Sequence, residues 1–312
     1  MQGGPQTLEV GAEEAGGRLD VFLAARLALS RAQTRRLLAR GAVRVAGRPV
    51  AEGGKGIALR AGEKVEVEPF ARPESARVRP QPELALPVVA QGVGWIAVDK
   101  PAGMPVHPLA PDETGTVLNA AVARHPELQG VGEGALRSGV VHRLDVDTSG
   151  VLLIATAEQA WQRLRAAFTS QRVTKVYRAI ALGRLEGEGE VRVSLLTARH
   201  RPARVRVARQ GEQERARGAR PAELRWRALE ALADATLVEV RPTTGFLHQI
   251  RAIFAELGHP LAGDRTYGPP ADATGAARHM LHASEIDFEE ISARAADAPD
   301  FAALLASLRD AR

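Results

Sequence analysis

Cysteine is missing from all 312 residues, so disulfides and zinc–thiolate sites are excluded at once. That absence fits a cytoplasmic protein. No apolar run approaches the roughly 20 residues that a membrane span needs, which removes the membrane as an expected partner. The opening stretch "MQGGPQTLEVGAEEAGG" has neither the basic nor the apolar segment of a secretory signal. Lysine is scarce as well: only Lys55, Lys64, Lys100 and Lys175 occur. The 42 basic residues are therefore overwhelmingly arginine, whose planar fork suits bidentate contacts to phosphates and bases, although a GC-rich genome would produce the same bias. Against 37 acidic residues the net charge is +5, which admits an anionic partner without demanding one. At 45% hydrophobic and 25% charged residues the chain is not wholly disordered, and its length suits two domains or one domain with an appendage.

Residues 17–68 carry a pattern of their own. In "GRLDVFLAARL" Leu19, Phe22, Leu23 and Leu27 fall at helical spacing. "LSRAQTRRLLARG" supplies Ser30 as an N-cap, Leu37 and Leu38 as apolar anchors and Gly41 as a stop. Strands are expected next, from the alternation in "AVRVAGRPV" around an Ala-Gly turn and again in "LRAGEKVEVEP". Arg31, Arg35, Arg36 and Arg40 make a basic stripe on the second helix, which reads equally as a solvated face. Residues 69–88 hold five prolines without apolar periodicity, as a semi-extended linker would. The stretch Ala198–Arg227 contains ten arginines and reads either as a solvated loop or as an insertion facing RNA phosphates.

"HRLDVDTSG", His142 to Gly150, concentrates polar chemistry ahead of the apolar run "VLLIA". Upstream, "GWIAVDKPAGMPVHP" predicts a strand over Ile96–Val98 that ends in a loop. Downstream, Val151–Ala155 predicts a strand, followed by a helix with Thr156 and Gln159 as a capping box and Trp161, Leu164 and Phe168 as its apolar stripe. Two carboxylates thus sit at a loop–strand junction. Asp145, beside Arg143, can stay ionised where the fold excludes water, and such a carboxylate can act as a nucleophile. Asp147, followed by Thr148 and Ser149, fits a turn-former bonded to local amides.

The blocks "VDKPAGMPVHP", "SGVVHRLDVDTSGVLLIA", "KVYRAIALG", "GFLHQIRAIFAELGHPLAGDRTYG" and "RHMLHA" resemble, in this order, the RluA-type pseudouridine synthases over about residues 89–290. The helix pair and strands of 17–68 resemble the ribosomal-protein-S-four-like RNA-binding domain. Together these resemblances imply an α+β protein. Its catalytic domain would have a mixed, largely antiparallel sheet flanked by helices and loops, preceded by a small helix-pair and strand RNA-binding domain and followed by a helical extension over 291–312. They also imply isomerisation of uridine within RNA, without cofactor and without metal. Asp145 falls on the family's catalytic aspartate, and Tyr177 on the tyrosine that packs on the base and helps remove the carbon-bound proton. Arg251, on a helix with the stripe Leu247, Ile250, Phe254 and Leu257 and the stop Gly258, is placed to pair with Asp145. Arg143 would fill the space left by an extruded nucleotide. His142 is expected at the RNA, as are Arg31, Arg35, Arg36, Arg40, Arg44 and Arg48. Ribosomal RNA is the favoured partner, transfer RNA the alternative, and the protein is expected to be a monomer.

This chain departs from the family pattern where "GFLHQIR" replaces "GRTHQIR", putting Phe246 and Leu247 in place of arginine and threonine, and where Ile253 replaces a histidine. Altered RNA contacts or local packing would follow. An inactive RNA-binding or assembly factor would need the same fold without the three polar residues, yet Asp145, Tyr177 and Arg251 are all present. A metal hydrolase using His248, His279, His282 and Asp264 lacks a convincing further ligand in the linear order.

Overall fold

The computed structural model describes the chain apart from residues 1, 4, 30, 51–53, 72–75, 201–202, 210, 213–217, 270–273 and 312; of residues 2, 3, 31, 32, 71 and 200 it describes the backbone alone. The chain divides into two units, Met1–Arg77 and Val78–Arg312.

In the first unit, strand β1 (Gln2–Gly3) is followed by β2 (Gln6–Glu9), helices α1 (Leu19–Arg26) and α2 (Arg31–Ala39), and strands β3 (Val43–Val45), β4 (Arg48–Pro49), β5 (Lys64–Val67) and β6 (Phe70–Ala71). The sheet order is β2-β5-β3-β4, while β1 pairs with β6. Ala46 and Gly47 both have positive φ, the backbone that a two-residue hairpin loop between twisted strands requires. Leu19, Phe22, Leu23, Leu27, Leu37 and Leu38 are buried with Val43, Val65 and Val67, so the apolar spacing in the sequence marks the core faces. The sheet begins earlier than residue 17, because β2 pairs along β5 from Gln6↔Val67 to Glu9↔Lys64. Ser30, the expected cap, lies outside the described residues.

The second unit opens with β7 (Val88–Gly92), β8 (Trp95–Lys100) and α3 (Val117–Arg124), then β9 (Ser149–Ala155) and α4 (Glu158–Thr169). Next come β10 (Thr174–Leu182), β11 (Glu188–His200), β12 (Ala203–Val207), β13 (Arg220–Ala231), β14 (Ala235–Pro242) and α5 (Gln249–Glu256). β15 (Leu281–Phe288), β16 (Ile291–Arg294) and α6 (Pro299–Asp310) complete it. A ten-stranded sheet runs β12-β11-β13-β14-β10-β15-β9-β8-β7, with β16 on β15. Only the β15–β9 pair is parallel among the described strands, so the sheet is mixed and largely antiparallel.

The apolar run of β9 is continuous because both faces of that strand are covered. Leu152 and Ile154 pack with α3, whereas Val151 and Leu153 pack with Ala160, Leu164 and Ala167 of α4. Gly150 has φ +109, and a side chain there would collide with the backbone of Ala283 on β15, so glycine permits the parallel contact at the mouth of β9. On the other half of the sheet, Ile250 and Phe254 of α5 cover Ala179, Val238 and Val240. Phe301, Leu305 and Leu308 of α6 cover Ile180 and Leu237 from the opposite side.

Several expectations change at this level. Val78 and Leu86, inside the proline-rich segment, are buried in the core beneath α3, and the Val78 amide donates to Gln129, so this half of the segment belongs to the second unit. Among its described residues the arginine-rich stretch is chiefly strand, ending β11 and forming β12 and the start of β13; Ala222, Leu224 and Val205 alternate inward between its arginines. Helix α4 starts at Glu158 with no side-chain cap, and Glu158 instead accepts from the Gly132 amide, so the Thr156/Gln159 capping box does not form. Leu257 follows α5 and is 39% exposed, outside the apolar stripe. Residues 291–312 include a strand of the sheet as well as a helix.

Candidate active site

The loop 142–148 reaches β9 through dense polar anchoring. Beneath it, Lys100 at the end of β8 is fully buried and donates to three carbonyls, Pro101, Met104 and Val146, at 2.8–2.9 Å. Burial pushes this ammonium down to about 8. On the far side, Arg278 donates to the Asp147 carbonyl and to Ser149 Oγ while gripping Asp300 with two bonds. Thr148 Oγ1 pairs with His279 Nε2, and Ser149 Oγ with His282 Nδ1, both at 2.9 Å. The loop is thereby fixed from β8 and from the start of β15. Asp147 stands in a turn, as expected, closed by the Thr148 amide donating to the Asp145 carbonyl at 3.1 Å, but it contributes its carbonyl, and its exposed side chain binds no backbone amide among the described residues.

Asp145 projects from this loop toward α5. Arg251, with 8% of its side chain exposed, donates from Nη1 to Asp145 Oδ2 at 3.2 Å. Its Nε and Nη2 grip Asp264 at 2.7 and 2.9 Å, and Tyr267 lies across its guanidinium at 5.2 Å. Burial acts to raise the Asp264 carboxyl, but the Arg251 hydrogen bonds and charge, with His279 and the Thr266 amide, together hold that group below its ordinary value. One guanidinium thus bridges a wholly buried carboxylate and a partly exposed one. Such bidentate, water-shielded pairing fixes direction as well as charge.

Asp145, Tyr177, Arg143, Lys175, Phe246 and Arg251 line one cavity of about 310 Å³. Lys175 and Tyr177, two residues apart on β10, face it together by strand alternation. Burial, and secondarily the Asp145 carboxylate, raises the Tyr177 phenol well above its ordinary value. Lys175 is lowered to about 8 by burial and donates to the Thr244 carbonyl at 3.0 Å, tying β10 to the loop before α5. In that loop Gln249 Oε1 accepts from the Phe246 amide and from Thr244 Oγ1, fixing the "GFLH" turn.

The structure therefore brings Asp145, Tyr177 and Arg251 together. Arg143 is exposed at the cavity, with no ion pair among the described residues. His142 also lines the cavity, where its Nε2 accepts from the Leu153 amide at 2.9 Å and its ring stacks on Phe168, so it braces β9 at the cavity wall. Burial lowers it to about 3. Of the departures, Phe246 and Leu247 face the cavity, while Ile253 is 1% exposed in the apolar cluster and concerns packing alone. In the first unit Arg35, Arg36, Arg40, Arg44 and Arg48 are exposed; the side chain of Arg31 lies outside the described residues. His248, His279, His282 and Asp264 bind separate partners, and no group of three or more such residues is arranged for a metal among the described residues. Sequence reasoning missed Lys100, Arg278 and Tyr267. Lys100 had a signal, being one of four lysines and standing where a strand ends in a Pro-Ala-Gly loop.

Residues 94–256 match the RNA pseudouridylate synthase family, and residues 17–55 match the S4 domain. The chain is 34% identical over 319 residues to ribosomal large subunit pseudouridine synthase D of Neisseria meningitidis serogroup A, covering 97% of this chain and 81% of the relative. It is 33% identical over 281 residues to an uncharacterized RNA pseudouridine synthase of Bacillus subtilis, covering 89% and 87% respectively. In fold it is similar to human RNA pseudouridylate synthase domain containing 1, with a TM-score of 0.57 and 24% identity over 70% of this chain and 87% of that one. With Asp145, Tyr177 and Arg251 lining one cavity and its similarity to these relatives spanning nearly its whole length, the chain belongs to the RNA pseudouridine synthase family of isomerases, with an N-terminal S4 domain.

Proposed function

We propose that this protein converts uridine to pseudouridine in large-subunit ribosomal RNA, with Asp145 as the nucleophile. The observation that carries the reading is the Asp145 carboxylate: Oδ2 is held by buried Arg251, while Oδ1 has no hydrogen-bond partner among the described residues and belongs to a residue lining the cavity. Oδ1 attacks either the anomeric carbon of the ribose or the uracil ring. The bond between the ring nitrogen and the ribose breaks, the base turns, a ring carbon joins the ribose in its place, and the bond to Asp145 breaks to return the free carboxylate. That carbon gives up its proton and the freed nitrogen gains one, so substrate and product are isomers and no cofactor or metal is consumed. Arg251 supplies a fixed positive charge that need not reorganise during the reaction. Tyr177, kept protonated by its surroundings, packs on the base; its raised phenol argues against the ionised form as the proton acceptor.

A uridine must leave its stack to enter the cavity, at a cost of roughly a few kcal/mol. Arg143, exposed and unpaired at the cavity, fills the vacated space, and the arginines of the first unit hold phosphates. The ribosomal assignment rests on the relatives named for the large subunit, at 34% identity over most of the chain. The protein acts as a cytoplasmic monomer in this reading. Pseudouridine mapping in cells with and without the gene tests it. Sites in large-subunit RNA should disappear on deletion and return with the wild-type gene but not with Asp145→Asn. Loss confined to transfer RNA would move the substrate, and full turnover by Asp145→Asn would overturn the mechanism.

A further inference from the structure

A second polar group faces the nucleophile, and no step above uses it. His248 precedes α5 with φ +52, a left-handed backbone uncommon for a residue with a side chain and one that tends to persist where the surroundings enforce it. Its Nδ1 lies 3.0 Å from the Tyr267 hydroxyl, and its Nε2 lies 3.9 Å from Asp145 Oδ2. The Tyr267 oxygen already accepts the Val205 amide of β12 at 2.9 Å. Its one proton therefore has His248 Nδ1 as its acceptor among the described residues. An imidazole that accepts at Nδ1 carries its own proton at Nε2, the atom turned toward Asp145. The opposite tautomer would set a nitrogen lone pair against a carboxylate oxygen. Burial lowers His248, which keeps the ring neutral, with Asp145, Arg251, Asp264 and Arg143 as the charged groups around it.

We infer that the Val205–Tyr267–His248 chain is a positioning device for Asp145, holding His248 in the Nε2-protonated form so that it and Arg251 both direct Oδ2 and leave Oδ1 to attack. The 3.9 Å gap closes with a shift of less than about 1 Å, and hydrogen bonds in unliganded sites are often long before substrate tightens them. Tyr267 has a double function in this arrangement. Its ring backs the Arg251 guanidinium while its hydroxyl sets the histidine tautomer, so both donors to Asp145 are organised by one side chain. Because Tyr267 takes its own hydrogen bond from β12, the outer hairpin of the sheet is tied to the orientation of the nucleophile.

The inference rests on reading Asp145 as the nucleophile, so Asp145→Asn is run beside the test variants. His248→Leu should slow the single-turnover rate about 10- to 100-fold, the scale expected for a misdirected reacting group, while RNA affinity stays within about twofold. His248→Gln places an amide N–H near the position of Nε2 and should recover most of the rate. Tyr267→Phe should slow turnover at least about fivefold with unchanged RNA affinity, since its ring is retained while the Val205 amide bond and the hold on the tautomer are released together. Nitrogen-15 spectra of the wild-type ring should give a protonated Nε2 and a bare Nδ1. Should His248→Leu not fold, Tyr267→Phe and the spectra decide the matter. Wild-type rates in both folded variants, equal loss in the Leu and Gln variants, or a ring protonated at Nδ1 would overturn the inference while an inert Asp145→Asn left the nucleophile standing. An active Asp145→Asn would instead remove the reading on which it rests.

Discussion

Arg251 holds two carboxylates at once, and that changes what a substitution there would measure. Arg251→Met frees Asp145, but it also strands Asp264, whose side chain is wholly buried. Breaking a buried pair from one side costs about 3–5 kcal/mol, so the Met variant should melt lower as well as turn over slowly. Adding Asp264→Asn removes the stranded charge and keeps an oxygen for the Thr266 and Tyr267 amides. The double variant should therefore regain part of the lost stability but none of the lost rate. Calorimetry alongside single-turnover assays checks this. A rate that recovers with the melting temperature would make Arg251 purely structural, and a loss seen only in binding would make it an RNA contact. The pairing with Asp145 was expected from the family resemblance, with the helical spacing around Arg251 adding only that it could be partly buried. The pairing with Asp264 was not, because the two residues meet through a loop whose course no periodicity reveals.

Elements were legible in proportion to their apolar spacing. The helix pair of the first unit, β8, β9, α4 and α5 all announced themselves by residues that the fold buries. The stretch around β12 and β13 did not, because its inward positions are few and small, such as Ala222 and Val205, and the arginines between them read as solvent-seeking. Three of those arginines have acidic partners: Arg225 meets Glu190 and Arg227 meets Glu239 on the sheet, and Arg206 meets Glu212 beyond the end of β12. Exposed pairs of this kind add little stability, which leaves the small inward residues and the strand ladder to hold the hairpin. The C-terminal helix was underestimated for a different reason. It reads as an appendage in sequence order, yet Phe301 is fully buried against the central strands. Phe301→Ala should destabilise the second unit by about 3–5 kcal/mol, the usual cost of deleting a core aromatic. Denaturant unfolding followed by Trp fluorescence measures it, and a change below 1 kcal/mol would return α6 to the status of an extension.

At the scale of the molecule, the proposed chemistry and much of the positive charge without an ion pair among the described residues reside in different units. Asp145, Tyr177 and Arg251 all belong to Val78–Arg312, whereas Arg35, Arg36, Arg40 and Arg44 stand exposed in Met1–Arg77 with no ion pair among the described residues. This contrasts with the outer strands of the sheet, where glutamates already meet many of the arginines. An arginine without an acidic neighbour is free to displace counterions from an RNA backbone, and each such contact contributes roughly 0.7–0.9 to the slope of log affinity against log salt. Replacing Arg36 and Arg40 by Gln should therefore weaken binding across RNA sequences and flatten that slope by roughly one to two units. Their exposure means the unit should fold unchanged, since its core is built from Leu19, Leu23, Leu37, Val43 and Val65 on other faces. The single-turnover rate at saturating RNA should also hold, because neither arginine belongs to the unit that carries the proposed nucleophile. Affinity measured at several salt concentrations, together with that rate, distinguishes a phosphate-binding stripe from a solvated helix face. Affinity and slope both at wild-type values would assign the stripe to solvent and leave RNA capture to the second unit alone.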